Sequence, residues 1–266
     1  DEPFGEFHKG MPDLQQKHNE CVPTAVANSI LWLAKKYGYT DRIPMDPPKL
    51  IAELKQDFKW EEDGVDAAKD FYAGKNAFFK RHNVPIETHG VGRPFDPDIV
   101  RKIAVEIGKG QDVELTMEYY KISPDGKLTR TGGHMVTVVG AWSAGPNQFL
   151  GFHDPAGDAT GAMEVAEVRG ALVTRYRFRA DNIPYIKYVF AESPVPLEEW
   201  NKLNPPTPAK PNADVRTVDM LKSGTTYYPV SQFYIGTGPD CDAPHWHAND
   251  GTAKGLDLKG FIDPKN

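Results

Sequence analysis

The sequence predicts an α+β protein: a helical N-terminal part, then an antiparallel β-sheet, then a Pro-rich C-terminal extension. Three observations predict it. Apolar residues recur at helical spacing up to about Ile107. From Gln111 onward, runs of β-branched and aromatic residues separated by Gly, Pro, Asn and Asp turns replace that spacing. Beyond Ala191 the composition shifts again, with Pro194, Pro196, Pro205, Pro206, Pro208 and Pro211 close together. Helices followed by strands, rather than alternating with them, point to α+β and away from a parallel sheet.

The chain has 266 residues, 39% of them hydrophobic and 26% charged, which is enough to bury a sizeable core. With 31 Lys and Arg against 37 Asp and Glu, the formal net charge of −6 argues against a general nucleic-acid binder, whose basic face displaces phosphate counterions. The longest apolar stretch, Ala25 to Ala34, is interrupted by Asn28 and Ser29 and falls short of the roughly 20 residues that cross a bilayer. The first residue is Asp1, which a removed signal peptide would explain, so the expected location is secreted or periplasmic.

The first helix is expected over Glu20 to Gly38, because Val26, Ile30, Leu33 and Tyr37 recur at intervals that place them on one face. Pro23 is tolerated in its first turn, and Gly38 is a natural stop. Cys21 therefore sits at a helix N-terminus. Further helices are expected over Pro48–Phe58, Val65–Arg81 and Asp96–Ile107, the last with Asp96 as cap and Pro97 in the first turn. Asp112–Lys121 and Lys127–Thr131, joined by Ser123-Pro124-Asp125-Gly126, read as a hairpin. Met135–Trp142 and Asn147–Phe152 read as central strands, with more strand over Met163–Val168, Leu172–Phe178 and Pro184–Ala191. Residues 1–192 are thus the expected folded domain. Residues 193–217 read as a semi-rigid linker or a strap on the surface, and residues 218–266 as an extension.

A cysteine at a helix N-terminus has a physical route to reactivity, because the unpaired N–H groups and the helix dipole stabilise the thiolate. Gln15, six residues earlier, carries an amide suited to hydrogen-bond an oxyanion. His134 follows Gly132-Gly133 at the expected start of a strong strand, which would anchor a general base. Asp154 ends the next antiparallel strand, at the same end of the sheet, where a carboxylate would fix the imidazole. His153, the preceding residue on that strand, should point the other way. Each residue alone has an ordinary structural explanation.

Together they resemble a known family. Gln15 ahead of Cys21-Val22-Pro23-Thr24-Ala25-Val26-Ala27-Asn28, then Gly132-Gly133-His134-Met135-Val136-Thr137, then Phe152-His153-Asp154-Pro155, is similar to the peptidase C39-like branch of the papain-like cysteine peptidases, over residues 15–192. The resemblance implies a papain-like fold with the nucleophile helix packed on the sheet. It implies Gln15 as oxyanion donor, Cys21 as nucleophile, His134 as general base and acid, and Asp154 as orienting residue, acting on a peptide or protein substrate without a cofactor. Val22 stands where that family usually has glycine.

Two rival readings remain on the residues alone. Cys241, His245 and His247 form a C-terminal cluster that a zinc or copper ion would suit, though no strong zinc spacing is present. A Cys21–Cys241 disulfide would instead leave a non-catalytic binding or structural protein on the same scaffold.

Overall fold

A computed structural model describes residues 2–205 apart from 63, 66–69, 125, 158–160 and 175–181. The unit running from Asp1 through Asn204 is mixed helix and antiparallel sheet, as the sequence predicts. The C-terminal cluster of Cys241, His245 and His247, and the strap beyond residue 205, lie outside the described residues.

The first helix, α1 (Cys21–Tyr37), is buried on every side from Val22 to Ala34 and forms the centre of the first core. Gly38 ends it with φ 76°, a left-handed turn that costs glycine nothing. The second helix, α2 (Pro47–Asp57), opens on two prolines, and the Asp46 carboxylate caps it by accepting the Lys49 N–H at 3.3 Å. The third, α3 (Phe71–Arg81), begins later than the expected Val65. Gly74 on α3 lies against Phe58, while Phe71 stacks on Phe58 and on Phe190 with ring centroids 5.5 and 4.2 Å away.

The fourth helix, α4 (Ile99–Gly108), corrects the expected cap: Asp98, not Asp96, occupies that position, and it makes no side-chain bond. Asp96 is buried and organises the preceding turn, accepting from Asp98 N at 3.0 Å, Arg93 N at 3.4 Å and Lys102 Nζ at 2.6 Å. A further helix, α5 (Leu197–Leu203), lies where a Pro-rich linker or surface strap was expected, and its buried Trp200 donates to Asn83 Oδ1 at 3.2 Å.

Among the described residues, eight strands, numbered in chain order, form one sheet: β1 (Gly5–Phe7), β2 (Ile86–Gly90), β3 (Asp112–Ile122), β4 (Leu128–Ala144), β5 (Asn147–His153), β6 (Glu164–Arg169), β7 (Leu172–Thr174) and β8 (Ile183–Pro194). Each of β3 to β8 pairs antiparallel with the next, and β8 pairs back to β3, so these six close a ring. Closure leaves few open edges. β1 is added to β4, and β2 to β8. The expected strands 127–131 and 135–142 are one strand of 17 residues, β4, which runs straight through Gly132-Gly133-His134. His134 therefore stands inside a strand, paired with Met117, rather than at a strand start. Of the expected strand Leu172–Phe178, the structure describes Leu172–Thr174 as β7.

Two apolar cores result. One packs α1, α2 and α3 against Met135, Val139 and Phe190 of the sheet. The other gathers Val113, Leu115 and Met117 of β3, Val136 and Val138 of β4 and their neighbours with Ile99, Val100 and Ile103 of α4. On β3 the alternate residues Asp112 and Glu114 are fully buried, and with Glu192 of β8 they surround Lys75 of α3. Lys75 Nζ donates to both Glu114 oxygens at 2.7 Å and to Glu192, while Asp112 Oδ1 accepts the Glu192 N–H at 3.3 Å. Burial disfavours the Lys75 ammonium, but the charges of Glu114, Glu192 and Asp112 outweigh it and push the lysine up to about 12. Burial and the Glu192 charge push Glu114 up to about 8 and Asp112 well above the usual carboxylate range. Three carboxyls around one ammonium cannot all be ionised without a net buried charge.

Candidate active site

The site is built where the N-terminus of α1 meets the ring. The chain turns into α1 at Asn19, whose φ of 55° is left-handed. That turn is held from both sides: Trp60 Nε1 donates to Asn19 O at 2.8 Å, and Asn19 Nδ2 donates to Glu62 O at 2.7 Å. Lys55 Nζ lies 3.5 Å from the Trp60 ring centroid and 2.6 Å from Glu20 Oε1. Glu20 occupies the cap position of α1 but makes no side-chain bond to the helix. The first-turn N–H groups are thus left for other acceptors.

Cys21, the first residue of α1, is a free thiol, half-buried, whose main electrostatic partner is the His134 imidazole. The other side of the imidazole is fixed by Asp154, with His134 Nε2 2.5 Å from Asp154 Oδ1. The Asp154 oxygen also accepts the Ala156 N–H at 2.8 Å, so the carboxylate cannot swing away. Both His134 and Asp154 are buried. Burial raises the Cys21 thiol, but the His134 bond and charge, with the backbone N–H groups of Met135 and Val22, outweigh it and hold the thiol below its ordinary value. Burial likewise opposes the imidazolium, and Asp154 and Cys21 overcome it, raising His134 to about 9. The two shifts reinforce each other, each favouring the ion pair of thiolate and imidazolium over the neutral pair.

The structure thus brings together Cys21, His134 and Asp154, from α1, β4 and the turn after β5. Gln15 stands at the exposed surface of the segment leading to α1. Its neighbour Gln16 is anchored by donating its N–H to Pro155 O at 2.8 Å, and its side-chain Oε1 is buried without a partner. His153 pairs with Thr137 and turns its Nδ1 to Pro12 O at 2.7 Å, away from the His134–Asp154 pair. Val22, where the resembled family has glycine, has its side chain in the first core.

Tyr119 is a neighbour that sequence reasoning did not single out. It is buried opposite Gly132 on β4, and burial together with the charges of Asp154 and Cys21 raises its phenol, which stays protonated beside the pair. A tyrosine on a strand carries no sequence signal for that role. Among the described residues, the acidic group Asp112, Glu114 and Glu192 has the spacing to hold a metal ion, but Lys75 already supplies its cation. No described helix is long and apolar enough to cross a membrane.

Among solved structures, the chain is similar to xylellain, a cysteine protease from Xylella fastidiosa, at 13% identity, over 73% of this chain and 87% of that one, with a TM-score of 0.39. No protein-family model matches the chain, and no curated protein does.

Proposed function

We propose that the chain is a papain-like cysteine hydrolase that cleaves a peptide or other amide bond through an acyl-enzyme. The observation that carries this reading is the hydrogen-bonded His134–Asp154 pair acting on Cys21 at an uncapped helix N-terminus, with the thiol held down and the imidazole raised to about 9. In this reading the Cys21 thiolate attacks the carbonyl carbon, and the carbonyl π electrons move onto oxygen. The Cys21 backbone N–H and the Gln15 amide receive that oxyanion. His134, protonated at the start, gives its proton to the departing nitrogen as the C–N bond breaks and a thioester forms. The imidazole then takes a proton from water, whose oxygen attacks the thioester and releases the acid and Cys21. Asp154 keeps Nε2 occupied, so that Nδ1 faces the sulfur, and stabilises the imidazolium.

The order glutamine, cysteine, histidine, aspartate supports placing the chain in the C39-like branch, with a peptide or protein as substrate and no cofactor in the chemistry. A set of fluorogenic peptide amides tests the reading. The wild type should turn over at least one of them, and Cys21→Ala should lose turnover while melting at the same temperature. Full activity in Cys21→Ala would end the proposal.

A further inference from the structure

The triad residues come from three different segments, and their reach depends on holding those segments in register. One buried cluster ties two of them, α1 and β4, to the segment that carries Gln15. Asn28, on α1 two turns beyond Cys21, is fully buried, as is Thr137, three residues after His134 on β4. Asn28 Nδ2 donates to Thr137 Oγ1 at 3.2 Å, and Thr137 Oγ1 donates back to Ala25 O on α1 at 2.9 Å. Asn28 Oδ1 accepts the Leu14 N–H at 3.0 Å, fixing the segment that carries Gln15. Thr137 is also the β4 residue in register with His153, which immediately precedes Asp154.

We infer that Asn28 and Thr137 are positioning residues for the catalytic pair: their hydrogen bonds lock the nucleophile helix, the base strand and the oxyanion segment into one geometry. The inference rests on the cysteine-hydrolase reading above. The chemistry of the two residues makes the lock directional. Thr137 has one hydroxyl proton and spends it on Ala25 O, so its lone pairs must face Asn28 Nδ2. The Asn28 amide is thereby oriented, with its oxygen toward Leu14. An Ala25 carbonyl engaged outside the helix also draws α1 toward β4 one turn beyond Cys21. Both residues touch neither sulfur nor imidazole, so they act through the placement of Cys21 and His134. A displacement on the order of 1 Å at such a pair is enough to cost about 100-fold in rate.

The test reads the sulfur directly and needs no substrate. The second-order rate of Cys21 alkylation by iodoacetamide is measured from pH 5 to pH 9 by peptide mapping, for wild type, Thr137→Val, Thr137→Ser and Asn28→Ala, with melting temperatures alongside. Thr137→Val keeps the volume and loses the hydroxyl; Thr137→Ser keeps the hydroxyl. Ile103→Val, on α4 in the second core, is a control that loosens the packing of α4 on the ring without touching the lock. The expected result is that Thr137→Val and Asn28→Ala slow alkylation at pH 6 by about tenfold or more through misplacement of the pair, while Thr137→Ser and Ile103→Val keep the wild-type profile. Should Thr137→Val fail to fold, Asn28→Ala carries the same prediction from the α1 side. A wild-type profile in whichever of these two variants folds, or equal loss in Thr137→Ser, would overturn the inference. Failure of the hydrolase reading looks different: the wild type itself would then lack alkylation at pH 6.

Discussion

Removing the Lys75 cation inside the carboxylate cluster, by Lys75→Met, should be among the most damaging single changes in the protein outside its apolar core. Lys75 is fully buried and donates to both oxygens of Glu114 at 2.7 Å and to Glu192, with Asp112 beside them. Without it, three buried carboxyls face one another with no positive charge beside them among the described residues. Breaking a buried pair by removing one partner costs about 3–5 kcal/mol. At about 2–4 °C per kcal/mol for a unit of this size, the melting temperature at pH 7 should fall by roughly 6–20 °C. The pH dependence has a definite sign. Glu114 and Asp112 are raised in the folded state, so between their unfolded values near pH 4 and the folded value of Glu114, about 8, the folded chain binds more protons than the unfolded one. Their contribution to stability therefore falls as pH rises through that window, and it should fall more steeply in Lys75→Met. Glu114→Gln should flatten the same slope. Thermal melts of the three proteins at pH 5, 6, 7 and 8 decide it. A Lys75→Met variant melting within 2 °C of wild type at pH 7, with an unchanged slope, would refute the electrostatic argument for how α3 is held to the sheet.

Asp154→Asn should lower the His134 value of about 9 towards the ordinary 6.5, and the imidazole resonance followed by NMR across pH 5–10 would report it; no movement would show that Asp154 does not support the imidazolium. Gly74→Ala should destabilise by about 1–3 kcal/mol through overpacking, because its Cβ would stand 2.3 Å from Phe58 Cδ1 and 2.9 Å from the Asp57 carbonyl oxygen; a denaturant melt gives the value. Once a substrate is in hand, Gln15→Ala should lower kcat by about 100-fold or more with little change in KM, as for loss of an oxyanion donor; a loss in Gln16→Ala instead would shift that role by one residue.

The parts that were legible in the sequence are those where a local pattern and the tertiary environment agree. Val26, Ile30, Leu33 and Tyr37 announce α1, and Gly38 ends it as expected. Antiparallel succession after the turn at Gly145 was enough to bring His134 beside Asp154. Illegible features were those set by what covers a surface. On β3, Asp112 and Glu114 alternate with apolar residues as a solvent-facing edge would, and only the packing of Lys75 over them makes that face interior. Gly132-Gly133 reads as a break, yet strand pairing on β3 carries the ladder through it, with Gly133 packed close to the Met117 carbonyl. β1 is three residues long and exposed, and α5 has seven residues among prolines, too short for either period to show. Asp96 before Pro97 imitates a cap, but its carboxylate is taken by the turn and by Lys102.

The central claim, a thiolate held against an imidazolium at the start of α1, is tested most directly by the rate of Cys21 alkylation by iodoacetamide in the wild type from pH 4 to pH 10, mapped to the Cys21 peptide. The account predicts that reactivity persists at pH 6, because the thiol is held down, and rises again near pH 9 as His134 loses its proton. A single titration near pH 8.5, with the rate at pH 6 about 300-fold below the plateau as for an ordinary thiol, would contradict it.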